Sequence, residues 1–240
     1  PARIAWGEGE QHDLVFCRRF RMRDGSVKMN PGRGNPNIVS ATSPVDPVVG
    51  VLYIEDAHGQ PLAVVSRYSL HYVGTDNDYA ISADYFGHFA NIMRRVLGEG
   101  CTTLLFNGTS GQINNVNVFD RRQEGGHRQA RRVAVALAGE VLKVIGRLHP
   151  QKECALSAAR VPVLLPRQEV TAKDLAVAER ILASDQPPDN EHFSWVVGPI
   201  EGAILRICAE DAPVLAAMPR ELPSEVQVPR IGDSAWVGSP

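Results

Sequence analysis

Two apolar runs constrain the architecture first. Residues 48–54 and 62–70 are rich in Val, Leu, Ile and Tyr, and His58-Gly59-Gln60 lies between them. Both are too short for ordinary helices, and runs of this kind joined by a Gly-containing connection predict a β-hairpin. The second run ends at His71, which opens a loop containing Gly74, Asp76 and Asp78.

Helical spacings follow. A helix is predicted from near Ser82, with Phe86, Phe89, Met93 and Val96 on one face and Gly98 and Gly100 as its stop. A short buried strand is predicted over 102–106. A second helix is expected over 127–145, with Ala130, Val133, Ala134, Leu137, Val141 and Val144 on one face and Gly146 at its end. Beyond it, a strand is expected near 155–165. Thr171-Ala172-Lys173-Asp174 then forms a capping signal, and Leu175, Ala178, Ile181 and Leu182 continue that helix. A polar loop over 185–192 contains Pro187-Pro188, and a helical segment is expected around 200–208. The runs 226–231 and 235–237 predict a closing hairpin around Gly232-Asp233. Residues 1–46, rich in Arg, Gly, Pro and Asn, read as irregular loops. Strands mixed with helices predict an α/β fold, a mixed β-sheet sandwich flanked by helices.

The 240 residues suffice for one large domain or two small ones, and 44% hydrophobic with 22% charged residues is ordinary globular composition. No linker divides the chain, so 1–240 is expected to be a single domain. Lys+Arg 25 against Asp+Glu 27 gives a net charge of -2, which leaves no chain-wide footprint for nucleic acid or anionic lipid. No apolar run approaches the roughly 18–20 residues of a membrane helix. Cys17, Cys101, Cys154 and Cys208 form no C-x-x-C pair, which argues against a cysteine-based zinc site. The chain begins at Pro1 rather than Met and stops at Gly238-Ser239-Pro240 directly after a predicted strand, as expected of an excerpt lacking both ends of a longer protein.

Chemistry concentrates in a few places. His71 at a strand end is either a zinc ligand oriented by the acidic loop or a histidine packed at the end of a strand. The segment from Asn107 through Gly108, Ser110 and Gly111 to Asn114 follows a predicted strand. Ligand sites gather beyond strand ends in α/β proteins, and Asn or backbone N–H groups there can stabilise an oxyanion; the same residues also suit a polar turn. Gly108-Thr109-Ser110-Gly111 is nearly a nucleophile elbow, but Gln112 stands where the last glycine belongs. A Ser110 nucleophile with a base such as His127 is the corresponding hydrolase reading. Arg18 and Arg19 can clamp a carboxylate or phosphate, or simply be solvated. Asp84 and His88, four apart, can share a metal, or Asp84 can serve the helix N-terminus while His88 is exposed. His127 opens its helix. His12, His58, His149 and His192 carry no recognisable spacing, and the zincin, P-loop and dinucleotide motifs are absent.

Five stretches in order resemble the neutral/alkaline non-lysosomal ceramidase family. They are FCRR followed by DGSV, SPVDPVVGVLYIEDAHGQPLAVVSRYSLH, ISADYFGHF, LLFNGTSGQINN and VPRIGDSAWVGSP, which together span nearly the whole chain. The resemblance implies a zinc-dependent amide hydrolase acting on ceramide-like or other N-acyl amides, with zinc held by two histidines, a glutamate and a tyrosine. His71 matches the second zinc histidine. Arg18 matches an arginine near the reacting centre. The Gly-rich loop supplies Asn107, Ser110 and Gly111 to the substrate, and Asn114 takes the place of the family's catalytic serine. The first histidine is expected upstream of residue 1, and the glutamate and tyrosine beyond Pro240. Cys17 stands where the family has asparagine. These two changes imply either an amide other than ceramide or a member that binds a ligand without turning it over. The expected partner is a small or lipid-like amide, with a peripheral membrane surface as a further possibility and no nucleic acid. The family is commonly extracytoplasmic.

Overall fold

The computed structural model describes residues 1–74, 79–184, 191–196 and 202–240. Asp76, Asp78, Pro187-Pro188 and Ile200 therefore lie outside the described residues. The chain divides into two compact units, Pro1–Cys154 and Ala155–Pro240, where the sequence leads one to expect a single domain. The division follows Cys154 without the Pro/Gly/Ser-rich stretch by which a linker is recognised.

The first unit is built on a four-stranded sheet of order β1 (Ala2–Glu10), β6 (Val48–Asp56), β7 (Pro61–Tyr68) and β8 (Thr102–Asn107). β6 and β7 are the expected hairpin, in antiparallel register with Val49 opposite Tyr68, Val51 opposite Ser66 and Tyr53 opposite Val64. Those six residues share one face because cross-strand partners point the same way, and all are buried. Onto this face pack α1 (Asp84–Leu97) and α2 (Gly126–Ile145), through Tyr85, Phe89 and Met93 of the one and Ala130, Val133, Ala134, Leu137, Val141 and Val144 of the other. The expected α/β class holds.

Two expectations change. β8 pairs with β7 in parallel through the α1 crossover and forms the edge of its sheet, so it is not a buried strand: Leu104 and Phe106 are 45% and 53% exposed. The N-terminal stretch is not all loop, since β1 pairs with β6 along nine residues. Its glycines hide it from pattern reading. A Cβ on Gly7 would lie 2.9 Å from Leu148 Cδ2, and one on Gly9 2.8 Å from Val144 Cγ2, so small residues let the end of α2 lie close against the strand. Between β1 and β6 lies a three-stranded sheet of order β4 (Val27–Met29), β3 (Arg19–Met22) and β5 (Ile38–Ala41). Phe20, Met22 and Val118 form its small core.

In the second unit, β10 (Leu156–Pro166), β11 (Glu221–Ile231) and β12 (Ser234–Ala235) form an antiparallel sheet. The closing hairpin turns at Gly232-Asp233, where Gly232 takes φ 57°, and Arg230 pairs with Ala235. α3 (Ala172–Leu182) and α4 (Gly202–Ala217) bury Val177, Ala178, Ile181, Leu205, Ala209 and Ala212 around Phe193. The capping signal is real: Thr171 accepts from Asp174 N–H and the Asp174 carboxylate accepts from Thr171 N–H. Aspartate closes the box that usually takes Glu or Gln. Among the described residues, no helix is long and apolar enough to cross a membrane.

Candidate active site

The carboxyl ends of β7 and β8 lie side by side because the two strands are parallel, with Tyr68 opposite Asn107. In such sheets the crevice beyond the strand ends is the place for ligands. His71 and the Gly-rich loop both leave the sheet there.

His71 is held from two directions. Before it, Leu70 N–H donates to Asn107 Oδ1 at 3.3 Å, and Leu70 C=O accepts from the buried Tyr85 hydroxyl at 2.9 Å. After it, Val73 and Gly74 donate to the two Asp84 carboxylate oxygens at 3.2 and 2.8 Å. Asp84 also accepts from Tyr85 N–H at 2.6 Å and sits at φ 50°, a left-handed conformation that three backbone donors on one carboxylate stabilise. Asp84 is thereby spent on the loop rather than shared with His88. The His71 ring is half-buried, stands 4.4 Å from the Tyr72 ring, and has no hydrogen bond among the described residues. Its nitrogens are free to act as donors to a metal.

The Gly-rich loop folds back on the strand. Gly108 N–H donates to Tyr68 C=O at 3.0 Å. A Cβ at Gly108 would clash with Ser69 Oγ and lie 2.9 Å from Arg67 Nε. Those neighbours cannot easily yield, since Arg67 binds Asp46 at 2.5 Å and Ser69 donates to the same oxygen at 3.1 Å. Burial pushes the Asp46 carboxyl up, but Val48 N–H, the Arg67 guanidinium and the Ser69 hydroxyl bring it below its ordinary range. Gly108→Ala is expected to cost about 1–3 kcal/mol through overpacking, read as a lower urea midpoint. A midpoint equal to that of the wild type would mean the loop does not need the close approach.

Asn107 Nδ2 donates to Ser110 Oγ at 3.0 Å, and Ser110 has no histidine partner among the described residues. His127 instead sits with His88, ring centroids 6.0 Å apart. Gly111 has open space where a side chain would project, and its carbonyl accepts from Arg18 Nη2 at 2.7 Å. Arg18 is brought there by β2 (Phe16–Cys17), which pairs with β9 (Ile113–Asn114), and by its N–H donating to Gln112 C=O at 3.1 Å. Arg18 Nε is buried with no partner, so part of its desolvation is uncompensated. Asn114 is buried and committed at both ends of its amide, donating to Asn30 Oδ1 at 2.6 Å and accepting from Val116 N–H at 3.0 Å. Burial pushes the Cys17 thiol up, but hydrogen bonds with the Arg19 and Ser43 backbone and the Thr42 and Ser43 hydroxyls outweigh it and leave the group at about 7.

Hydrogen bonds therefore tie Asn107 to Ser110 and to Leu70, the residue before His71, and Arg18 to Gly111, while Asn114 is tied to Asn30 and Val116. Sequence reading passed over Tyr85, Asn30, Asp46 and Arg67. Tyr85 carried a usable signal, lying four residues before Phe89 on the buried helix face.

Comparison with solved structures adds a likeness of fold. Neutral ceramidase from Pseudomonas aeruginosa superposes with a TM-score of 0.58 at 17% identity, covering 100% of this chain and 40% of that one. A ceramidase complexed with C2 superposes at 0.59 with 16% identity, over 100% of this chain and 42% of its own. The chain shares part of the neutral ceramidase fold. It spans about two fifths of the length of those structures. No family model matches the sequence, and no curated protein does.

Among the described residues, no three of His, Cys, Asp and Glu are grouped to hold a metal. Zinc sites take three or four protein ligands, so the described residues do not by themselves make a zinc site.

Proposed function

We propose that the chain is part of the catalytic domain of a ceramidase-like amide hydrolase, acting on ceramide or another N-acyl amide at an extracytoplasmic site. The observation that carries this reading is that the segment of His71 and the Gly-rich loop leave the neighbouring ends of two parallel strands, with Arg18 bonded to that loop. The likeness to ceramidase folds supports the choice of reaction class. In this reading His71 is one zinc ligand, and the other donors lie outside the described residues. Zinc, when bound, supplies an acidic water and polarises a carbonyl. Arg18 and the loop N–H groups are the donors available to developing negative charge on the amide oxygen. Asn107 and Ser110 orient the substrate beside Gly111, where no side chain blocks approach. Asn114 positions the loop through Asn30 and Val116.

A second reading, ligand binding without turnover, rests on Asn114: a carboxamide already spent at both ends is neither nucleophile nor acid–base group. The two separate in one assay. The protein expressed from its complete gene is offered ceramide and shorter N-acyl amides, before and after chelator treatment. Hydrolysis that is lost on chelation and restored by zinc is expected. Absence of turnover with zinc bound would favour the binding reading, and turnover insensitive to chelation would overturn the metal assignment.

A further inference from the structure

We propose that His88 of α1 and His127 of α2 together bind a divalent ion of the copper class. The two helices pack on the same face of the sheet, and the start of α2 brings His127 to the second turn of α1. The two rings stand with centroids 6.0 Å apart and planes at 86°. An imidazole nitrogen binds a first-row metal at about 2.0–2.1 Å, and the ring centre lies roughly 1.1 Å behind it, so two rings on one ion have centres at most about 6.4 Å apart. The observed separation falls inside that limit. The backbone under each ring is anchored, through Tyr85 and Phe89 on α1 and Gln129 and Ala130 on α2, all buried. His88 itself is half-buried and His127 exposed, so the pair is held by rigid elements yet open to an ion and its waters.

The kind of ion follows from the neighbours. Asp84, one turn before His88, is engaged by the N–H groups of Val73, Gly74 and Tyr85. Glu124, three residues before His127, pairs with Arg128 at 2.7 Å. Among the described residues no third His, Cys, Asp or Glu is grouped with the two rings, whereas zinc takes three or four protein ligands. Divalent copper accepts a tetragonal set of nitrogen and oxygen donors, in which two imidazoles share the ion with water, and it binds such donors more tightly than the other first-row divalent metals do. The inference does not depend on the hydrolase reading, which assigns neither histidine, and its test needs no turnover.

The protein expressed from its complete gene is titrated with Cu²⁺ against glycine, which keeps weak sites empty, and bound copper is followed by electron paramagnetic resonance. An equivalent of copper carrying two imidazole nitrogens is expected in the wild type and in His71→Ala, and is expected to be lost from both His88→Gln and His127→Gln. Each of these two variants should bind it more than about 100-fold more weakly, since loss of an outer-shell partner alone costs roughly 10–100-fold. His127 is exposed, so His127→Gln carries the result if His88→Gln melts early. Undiminished binding in His127→Gln, or an equivalent with a single imidazole nitrogen, would overturn the shared site and leave the two histidines as an edge-to-face ring pair. Loss of the same equivalent in His71→Ala would overturn it as well, by assigning the copper to the segment of His71.

Discussion

His71→Ala is expected to abolish both zinc retention and N-acyl amide hydrolysis in the protein expressed from its complete gene, with the fold left intact. The ring is only half-buried and stands against the exposed Tyr72 ring, so its removal opens no buried cavity. A change of this size at a half-buried site is expected to cost about 1 kcal/mol, too little to unfold the domain. The loop around it is held by backbone donors to Asp84 and Asn107 and by Tyr85, none of which involves the imidazole. Asn114→Ala is expected to behave differently, slowing turnover less while lowering stability, because it frees Asn30 and Val116. Elemental analysis after dialysis, together with turnover and melting curves on both variants, checks the pair. Unchanged zinc in His71→Ala would remove the histidine from the metal reading. Slower turnover in Asn114→Ala than in His71→Ala would make the loop more than a positioning element.

The second large effect lies in the other unit. Asp174→Ala is expected to cost about 3 kcal/mol, as the loss of a helix cap and of charge-assisted hydrogen bonds. Asp174 is 2% exposed, and its carboxylate accepts from Thr171 N–H at 2.8 Å, from the Thr171 hydroxyl, and from Ser194 N–H and hydroxyl at 2.7 and 2.8 Å. Burial raises its pKa, but these donors outweigh burial and bring it from 3.8 to about 2. A depressed folded-state pKa means stability that is fully present above the unfolded value and lost as pH falls through the folded one. The second unit should therefore lose roughly 2 kcal/mol between about pH 5 and pH 2. Amide hydrogen exchange in α3 reads this locally. Parallel pH profiles for the wild type and Asp174→Ala would show that another group carries the acid sensitivity.

Much of this arrangement was legible as periodicity. The hairpin of β6 and β7, the six inward residues of α2 and the Thr171 cap each announce themselves within a short window of sequence. What escaped reading depends on partners distant in sequence. β1 looks like loop because Gly7 and Glu10 answer to α2, where Glu10 N–H meets Glu140 Oε1 at 3.1 Å. β8 looks buried because its apolar residues do not disclose that its second edge is open. In the site, His71 and the Gly-rich loop were identifiable by residue type and by resemblance. The clamps were not: Asp46 meets Arg67 across 21 positions, and Asn30 meets Asn114 across 84. Nothing local marks either residue as belonging to a site.

The link between Arg18 and Gly111 spans 93 positions, and that separation has a consequence during synthesis. At roughly 5–20 residues per second, the ribosome needs on the order of 5–20 s to deliver Gly111 after Arg18 has been made. Until then β2 has no partner strand, Asn30 has no Asn114, and the arginine-rich N-terminal stretch is held by neither. The nascent chain thus presents a run of arginines to a cell full of polyanions before the segment that anchors it has emerged.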